Sequence, residues 1–357
     1  MLREILSAYG LSTDASIQPF GSGLINNTWL VKDGLNHFIL QKVNNEVFKT
    51  PLDIAANIET IARYLEQTHP EYLFVTPVKT LSGEPMIYRP DNGYFRLFPF
   101  VAKSHTNDVA ETPQQAFEAA RQFGLFTKTL RSVPVNILKI TLPDFHNLSM
   151  RYEQFTKACL HGNPARIAEA ANEISFLQQQ DHIVSTFKTI SQSANFKLRV
   201  THHDTKISNV LFDDNDKGIC VIDLDTVMPG YFISDVGDMM RTYLSPVSEE
   251  EKDFKKIEIR DEYFKAILEG YLGEMATELS NEEIDYFVYA GMFMIYMQAA
   301  RFLTDHLNDD VYYGAAYKGH NYMRAQNQVI LLQRLMEKES YLTAMVRETA
   351  TKQLDLA

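Results

Sequence analysis

The order of apolar and polar positions changes character near residue 101, from strand-like runs to helical stripes. Ahead of that point, Ile17 to Phe20 is a short apolar run ending at Gly21-Ser22-Gly23. Thr28 to Lys32 and His37 to Val43 read as two strands joined around Asp33-Gly34, residues that tolerate the positive φ of a tight hairpin. Thr50-Pro51 predicts an N-cap followed by proline in the first helical turn. Ile54, Ile58, Ile61 and Leu65 then recur at spacings of 4, 3 and 4, one stripe of a helix that closes near His69-Pro70. Further strands are expected over Leu73 to Thr80 and Tyr94 to Phe98, with Pro99-Phe100-Val101 as a connector.

From Thr112-Pro113 onward the helical period dominates, and helices are expected over 113–131, 148–161, 164–192, 250–272, 280–307 and 320–337. They are interrupted by a non-helical island from Leu198 to Met228, with strand signals at Leu198 to Thr201, Val210 to Phe212 and Gly218 to Ile222. The expected architecture is a small strand-rich lobe over 1–101 and a larger helical lobe over 102–357.

Composition narrows the setting. The 357 residues are 45% hydrophobic and 11% aromatic, enough to bury a sizeable core and too much for a disordered chain. Against 34 basic residues stand 46 acidic ones, a net −12, which disfavours nucleic acid and anionic membranes as partners. An anionic ligand must then be met by backbone N–H groups, a few placed cations or a metal. Cys159 and Cys220 are too few for a disulfide framework. Met1 to Gly10 contains Arg3 and Glu4 and no long apolar run, and Val288 to Met297 is about half a bilayer span. A cytoplasmic location is expected.

Chemistry concentrates in the island. Asp204 follows a strand, Lys206 lies two residues on, Asn209 opens the next strand, and Asp223 ends a further one, with Asp225 just beyond. Strands at both ends of a loop can hold a carboxylate and an amide at fixed separation, facing a second carboxylate. Phosphoryl transfer needs these parts: a carboxylate to orient a hydroxyl, Asn and Asp oxygens for Mg²⁺, and a cation for the transferred charge. Read singly, Asp204 and Asn209 are ordinary turn caps.

The strings His-Asp-Thr-Lys-x-x-Asn-Val at 203–210, Ile-Asp-Leu-Asp-Thr-Val-Met-Pro-Gly at 222–230 and Asp-x-Gly-Asp-x-x-Arg at 235–241 resemble the aminoglycoside phosphotransferase and choline kinase superfamily. Arg-Phe-Leu-Thr-Asp at 301–305 and Gly-His-Asn at 319–321 extend the similarity toward its N-acetylhexosamine 1-kinase branch. The resemblance runs from about residue 15 to 330. It implies an α+β, protein-kinase-like fold of two lobes: a small N-terminal lobe of antiparallel sheet with one helix, and a larger, mainly helical C-terminal lobe. ATP would bind between the lobes, with 1–101 as the nucleotide-binding lobe, and a hexosamine in the larger, catalytic one.

Carried over by position, Asp204 becomes the catalytic base facing the anomeric hydroxyl, and Lys206 the lysine reaching the γ-phosphate. Asn209 and Asp223 become ligands of Mg²⁺, and ATP the phosphoryl donor. Gly21, Ser22, Gly23 and Asn27 belong to a loop that could cover the phosphates, although Asn26 stands where a third glycine is expected. For the phosphate-binding position of the third strand, strand alignment favours Gln41 and charge favours Lys42; Glu59 is the matching helical acid. Phe100 and Val101 would meet adenine through backbone groups. Arg241 and Arg301 are candidate substrate ligands, a guanidinium being able to fork onto two oxygens. Asp235 and Asp238 are expected to pin the segment after the metal site, and one of His202 and His203 to pack inward and orient the loop. The implied activity is ATP- and Mg²⁺-dependent phosphorylation of GlcNAc or GalNAc at C1. Other acceptors (an aminoglycoside, choline, an amino alcohol), a silent nucleotide-binding module and a metal-dependent phosphatase are the competing readings.

Overall fold

The computed structural model describes residues 1–356 apart from 22 and 24. The chain opens with a short helix α1 (Leu2–Ala8), then strands β1 (Ser16–Pro19), β2 (Asn27–Asp33) and β3 (Asn36–Lys42). Helix α2 (Pro51–Thr68) precedes β4 (Ile87–Arg89) and β5 (Gly93–Pro99). These strands form one antiparallel sheet in the order β1-β2-β3-β5-β4. The alternation of β-strand side chains splits it into two faces. Val31, Leu40, Phe95 and Leu97 are buried on one face against Ile5, Leu6 and Tyr9 of α1. Gln41 and Arg96, directly opposed across β3 and β5, lie on the other face.

The remaining elements are mainly helical. First come α3 (Pro113–Thr129), α4 (Leu148–His161), α5 (Pro164–Glu169), α6 (Ala171–Gln179) and α7 (His182–Gln192). Two short antiparallel ladders follow, made by β6 (Arg199–Thr201), β7 (Val210–Phe212), β8 (Gly218–Val221) and β9 (Met228–Gly230), with β6 pairing β9 and β7 pairing β8. The chain ends with α8 (Phe232–Tyr243), α9 (Asp261–Met275), α10 (Asn281–Asp285), α11 (Phe287–Leu307), α12 (His320–Glu337) and α13 (Glu339–Leu356). The fold is kinase-like, with a small antiparallel sheet and a larger helical part. One large apolar core runs through the helices and takes in the buried stripe of α2, including Ile54, Ile58 and Ile61. Asn57 ties α2 to that part as well, its amide donating to the Val227 carbonyl at 3.0 Å.

Several sequence expectations are corrected. Leu73 to Thr80 is not a strand; only Val78 makes an isolated bridge, to Leu97. The helix expected from 250 begins at Asp261. Ile257 and Ile259 are both buried at a spacing of two, which suits extended chain and no helix face. The helix expected over 164–192 is three helices. Its buried positions Ile174 and Leu177 are out of phase with Ile183, Phe187 and Ile190, so one straight helix could not present them all to the same core. A break at Tyr286 likewise divides 280–307, where Ser280 and Glu283 form a capping box on the short α10. Helices α1, α8 and α13 and strands β4 and β9 were not foreseen.

Candidate active site

Strand β6 delivers the residues 202–205 into the base of a cleft, and α8 fixes them there. Asp235, the fourth residue of α8, accepts from the backbone N–H groups of His202 at 3.0 Å and His203 at 2.7 Å. One turn further, Asp238 accepts from the N–H of Thr205 at 2.8 Å. The Thr205 hydroxyl donates back to the Asp235 carbonyl at 2.7 Å. The two aspartates thus hold the loop that precedes them in sequence, rather than the segment that follows the second ladder. They are almost completely buried, and burial raises both carboxyls above their ordinary values, Asp235 to about 7. His202 packs inward, edge-on to Phe123, and its Nε2 donates to the Ile222 carbonyl at 2.9 Å, which sets its tautomer.

Asp204 emerges from this support with its side chain 20% exposed. Its Oδ1 meets Lys206 Nζ at 3.0 Å and its Oδ2 accepts from Asn209 Nδ2 at 3.1 Å. Burial is the largest influence and would lift this carboxyl, but the charge and hydrogen bond of Lys206, with His202 and Arg241, together hold the group below its ordinary value. Asn209 also donates to the Asp204 carbonyl at 2.8 Å, so both amide hydrogens are spent on Asp204 and Oδ1 is left as an acceptor. The Asn209 carbonyl accepts from Ile222 N–H at 2.9 Å, which joins this loop to the segment that leads from β8 to Asp223.

Asp223 has φ 59° and ψ 63°, a left-handed conformation uncommon for a residue with a Cβ, and its side chain is exposed. Desolvation within the cleft, with the charges of Asp225 and Asp204, pushes its carboxyl up to about 7. Asp225 turns the other way and is 2% exposed. Its Oδ1 lies 2.5 Å from Arg96 NH1, and its Oδ2 accepts from Asn26 Nδ2 at 2.8 Å. Among the described residues no three His, Cys, Asp or Glu side chains converge as a metal cage. The available oxygen donors are Asn209 Oδ1 and the Asp223 carboxylate. Such a pair suits a hard cation that takes its other ligands from phosphate and water.

The other candidates are placed as follows. Gly21 has φ +79°, and Gly23 and Asn27 are exposed; Ser22 lies outside the described residues. Gln41 faces the cleft side of the sheet, where its Oε1 accepts from Arg96 Nε at 3.0 Å and NH2 at 2.9 Å. Lys42 is on the opposite face, in register with Phe95. Glu59 pairs with Lys79 at 3.1 Å and is half exposed, apart from Gln41. Phe100 packs edge-on to Phe20 and His37, and Val101 follows it in the chain between the two parts.

Arg241 is engaged by Asp238 at 2.8 Å and Glu249 at 2.9 Å. Arg301 meets no carboxylate among the described residues. It lies over the rings of Phe145 and Tyr313, at 5.9 and 5.4 Å.

A further set beside Asp204 was not foreseen. His203 Nδ1 lies 3.3 Å from His146 Nδ1, and Phe145 stacks on His146. Burial lowers the pKa of both histidines, His203 to about 4, so both are neutral at neutral pH. Glu249 bridges Arg241 to Arg324, whose guanidinium faces Phe302 and Tyr313. Asp305 accepts from the N–H groups of Tyr312 at 2.7 Å and Tyr313 at 2.9 Å and from Asn321 Nδ2 at 3.0 Å. The motifs at 301–305 and 319–321 are therefore one structure, which holds the loop between α11 and α12 against the cleft.

The fold and this geometry define a small-molecule phosphotransferase. Residues 16–276 match the model of the phosphotransferase enzyme family (APH), and the chain belongs to that family. Its fold is similar to that of a microcompartment-associated aminopropanol kinase, with 16% identity over 96% of this chain and 98% of that one, at a TM-score of 0.66. It is also similar to the amicoumacin kinase hAmiN in complex with AMP-PNP, Ca²⁺ and Ami, with 16% identity over 93% and 92% and a TM-score of 0.63. Choline kinase from Cryptosporidium parvum Iowa II matches over 98% and 97%, with 12% identity and a TM-score of 0.56.

Proposed function

We propose that this phosphotransferase uses ATP with Mg²⁺ to phosphorylate the anomeric hydroxyl of an N-acetylhexosamine, GlcNAc or GalNAc, releasing the sugar 1-phosphate and ADP. The sugar oxygen would attack the γ-phosphorus in line as the bond to the β–γ bridging oxygen breaks, and the hydroxyl proton would pass to Asp204. Lys206, beside Asp204, offsets charge on the transferred group, and its own pKa is raised chiefly by Asp204, so it stays protonated. Asn209 and Asp223 would hold Mg²⁺, which when bound neutralises phosphate charge. The nucleotide and divalent ion in the amicoumacin kinase complex support this donor.

The acceptor is argued from one observation: beyond Asp204, arginines without a carboxylate partner among the described residues stand beside aromatic rings. Choline, aminopropanol and aminoglycosides carry positive charge and call for carboxylates or open aromatic faces. Here the rings of Phe145 and Tyr313 already face Arg301, and Arg151 also lacks a carboxylate partner within ion-pair distance among the described residues. Guanidinium donors next to neutral histidines suit a neutral polyol with oxygen acceptors. The test is ADP release and product analysis with GlcNAc, GalNAc, choline, ethanolamine and aminopropanol as acceptors. A sugar 1-phosphate is expected; turnover of the cationic acceptors alone would replace this reading with that of an amino-alcohol kinase.

A further inference from the structure

The expected cation of the third strand is missing from the cleft face, since Gln41 stands there and Lys42 faces away. A cation reaches the same place from the neighbouring strand. Arg96 is the direct cross-strand partner of Gln41 and so shares its face. It is 1% exposed, and Gln41 Oε1 takes its Nε and NH2 together, which leaves NH1 to face Asp225. Asp225 belongs to the other part of the molecule, in the short turn Leu224–Thr226 that directly follows Asp223. Its second oxygen is held by Asn26, whose own Oδ1 accepts from the N–H of Asn44 at 3.0 Å. Both oxygens of Asp225 are thereby committed to the small sheet and its glycine-bearing loop.

We propose that Asp225 is a positioning residue, not a metal ligand: gripped by Arg96 and Asn26, it fixes the Asp223 turn against the small sheet, so that the metal carboxylate is aimed only when the two parts are closed on each other. The inference rests on the reading of this cleft as a MgATP site and specifies how that site is assembled. The left-handed backbone at Asp223 adds to the argument. A turn held in a sparsely populated conformation needs outside contacts to persist, and Arg96 and Asn26 grip Asp225 two residues away. A carboxylate sunk against a guanidinium and an amide is poorly placed to be withdrawn for a cation.

The test uses full-length protein and two variants, Asp225→Asn and Asn26→Ala, alone and combined. Calorimetry measures ATP affinity as a function of Mg²⁺ concentration, well below each variant's Tm. Each single variant is expected to raise the half-saturating Mg²⁺ concentration about tenfold, the scale of losing an outer support of a metal ligand. The double variant should lose little more than Asp225→Asn, because both changes release the same turn. ATP affinity measured without metal should move far less. If Asp225→Asn fails to fold, Asn26→Ala, at the edge of the cleft, decides alone. Unchanged Mg²⁺ dependence in the folded variants, or fully additive losses, overturns the proposal. Absence of Mg²⁺-dependent ATP binding in the wild-type protein would instead overturn the reading of the cleft.

Discussion

At the scale of single residues, Asp204 and Asp223 sit in opposite surroundings and should fail differently. Asp204 is held below its ordinary value chiefly by the charge and hydrogen bond of Lys206, which suits a group that receives a proton only as the acceptor oxygen attacks. Asp204→Asn keeps the shape and removes that capacity. Its kcat is expected to fall by about 10²–10⁴-fold, the usual range for a lost general base, with the dissociation constant of MgATP nearly unchanged. Asp223→Ala removes one of the two proposed oxygen donors and should instead abolish the Mg²⁺-dependent part of nucleotide affinity. Single-turnover rates set beside equilibrium nucleotide binding separate the two variants; similar, mild effects from both would remove these roles.

At the scale of elements, the helices that were legible are those with an uninterrupted apolar stripe and a marked start. Helices α4 and α12 match their expected bounds, and α2 opens at Pro51 as Thr50-Pro51 predicted. Helix α8 was illegible for the reason that makes it functional. Its stripe of Phe232, Ile233, Val236, Met239, Met240 and Tyr243 has helical period, but Ser234, Asp235, Gly237 and Asp238 break the polar pattern by being buried too. The aspartates hold the loop that carries Asp204, and the glycine lets α8 approach α11, since a Cβ at Gly237 would overlap the Ala290 carbonyl. Gly237→Ala is expected to destabilise the protein by about 1–3 kcal/mol, the cost of overpacking a contact that cannot yield easily. Urea unfolding monitored by circular dichroism measures it, and stability equal to wild type would show that the two helices part freely. Pairing register, which places Arg96 beside Gln41, leaves no mark in either strand's own pattern, and the arginine's role was invisible for that reason.

At the scale of the whole molecule, local spacing and the flanking strands suggest one site for Asp204, Asn209 and Asp223; Asn209 bonds Asp204, and the Ile222 N–H ties it to the turn at Asp223. The proposed acceptor side was not legible beyond the candidates Arg241 and Arg301, as its residues come from the segment before α4, from α4, α8 and α11 and from the loop before α12, far apart in the chain. The charges brought together there titrate as a set, so the pH dependence of the reaction is a property of the assembled cleft. Two directions decide its form. Asp223, pushed up to about 7, is largely protonated below that value, and a protonated carboxyl is a poor ligand. Lys206 is raised by Asp204 and stays charged past the ordinary lysine range, so it causes no loss at mildly alkaline pH. The rate at limiting Mg²⁺ should therefore climb as pH rises through about 7 and then level off. A bound divalent cation favours the ionised carboxylate, so saturating Mg²⁺ should move the climb to lower pH. Initial rates recorded from pH 5 to 9 at limiting and at saturating Mg²⁺ measure the displacement. If the climb keeps its position as Mg²⁺ is raised, the group that titrates there is not in contact with the metal, and Asp223 loses its place as a ligand.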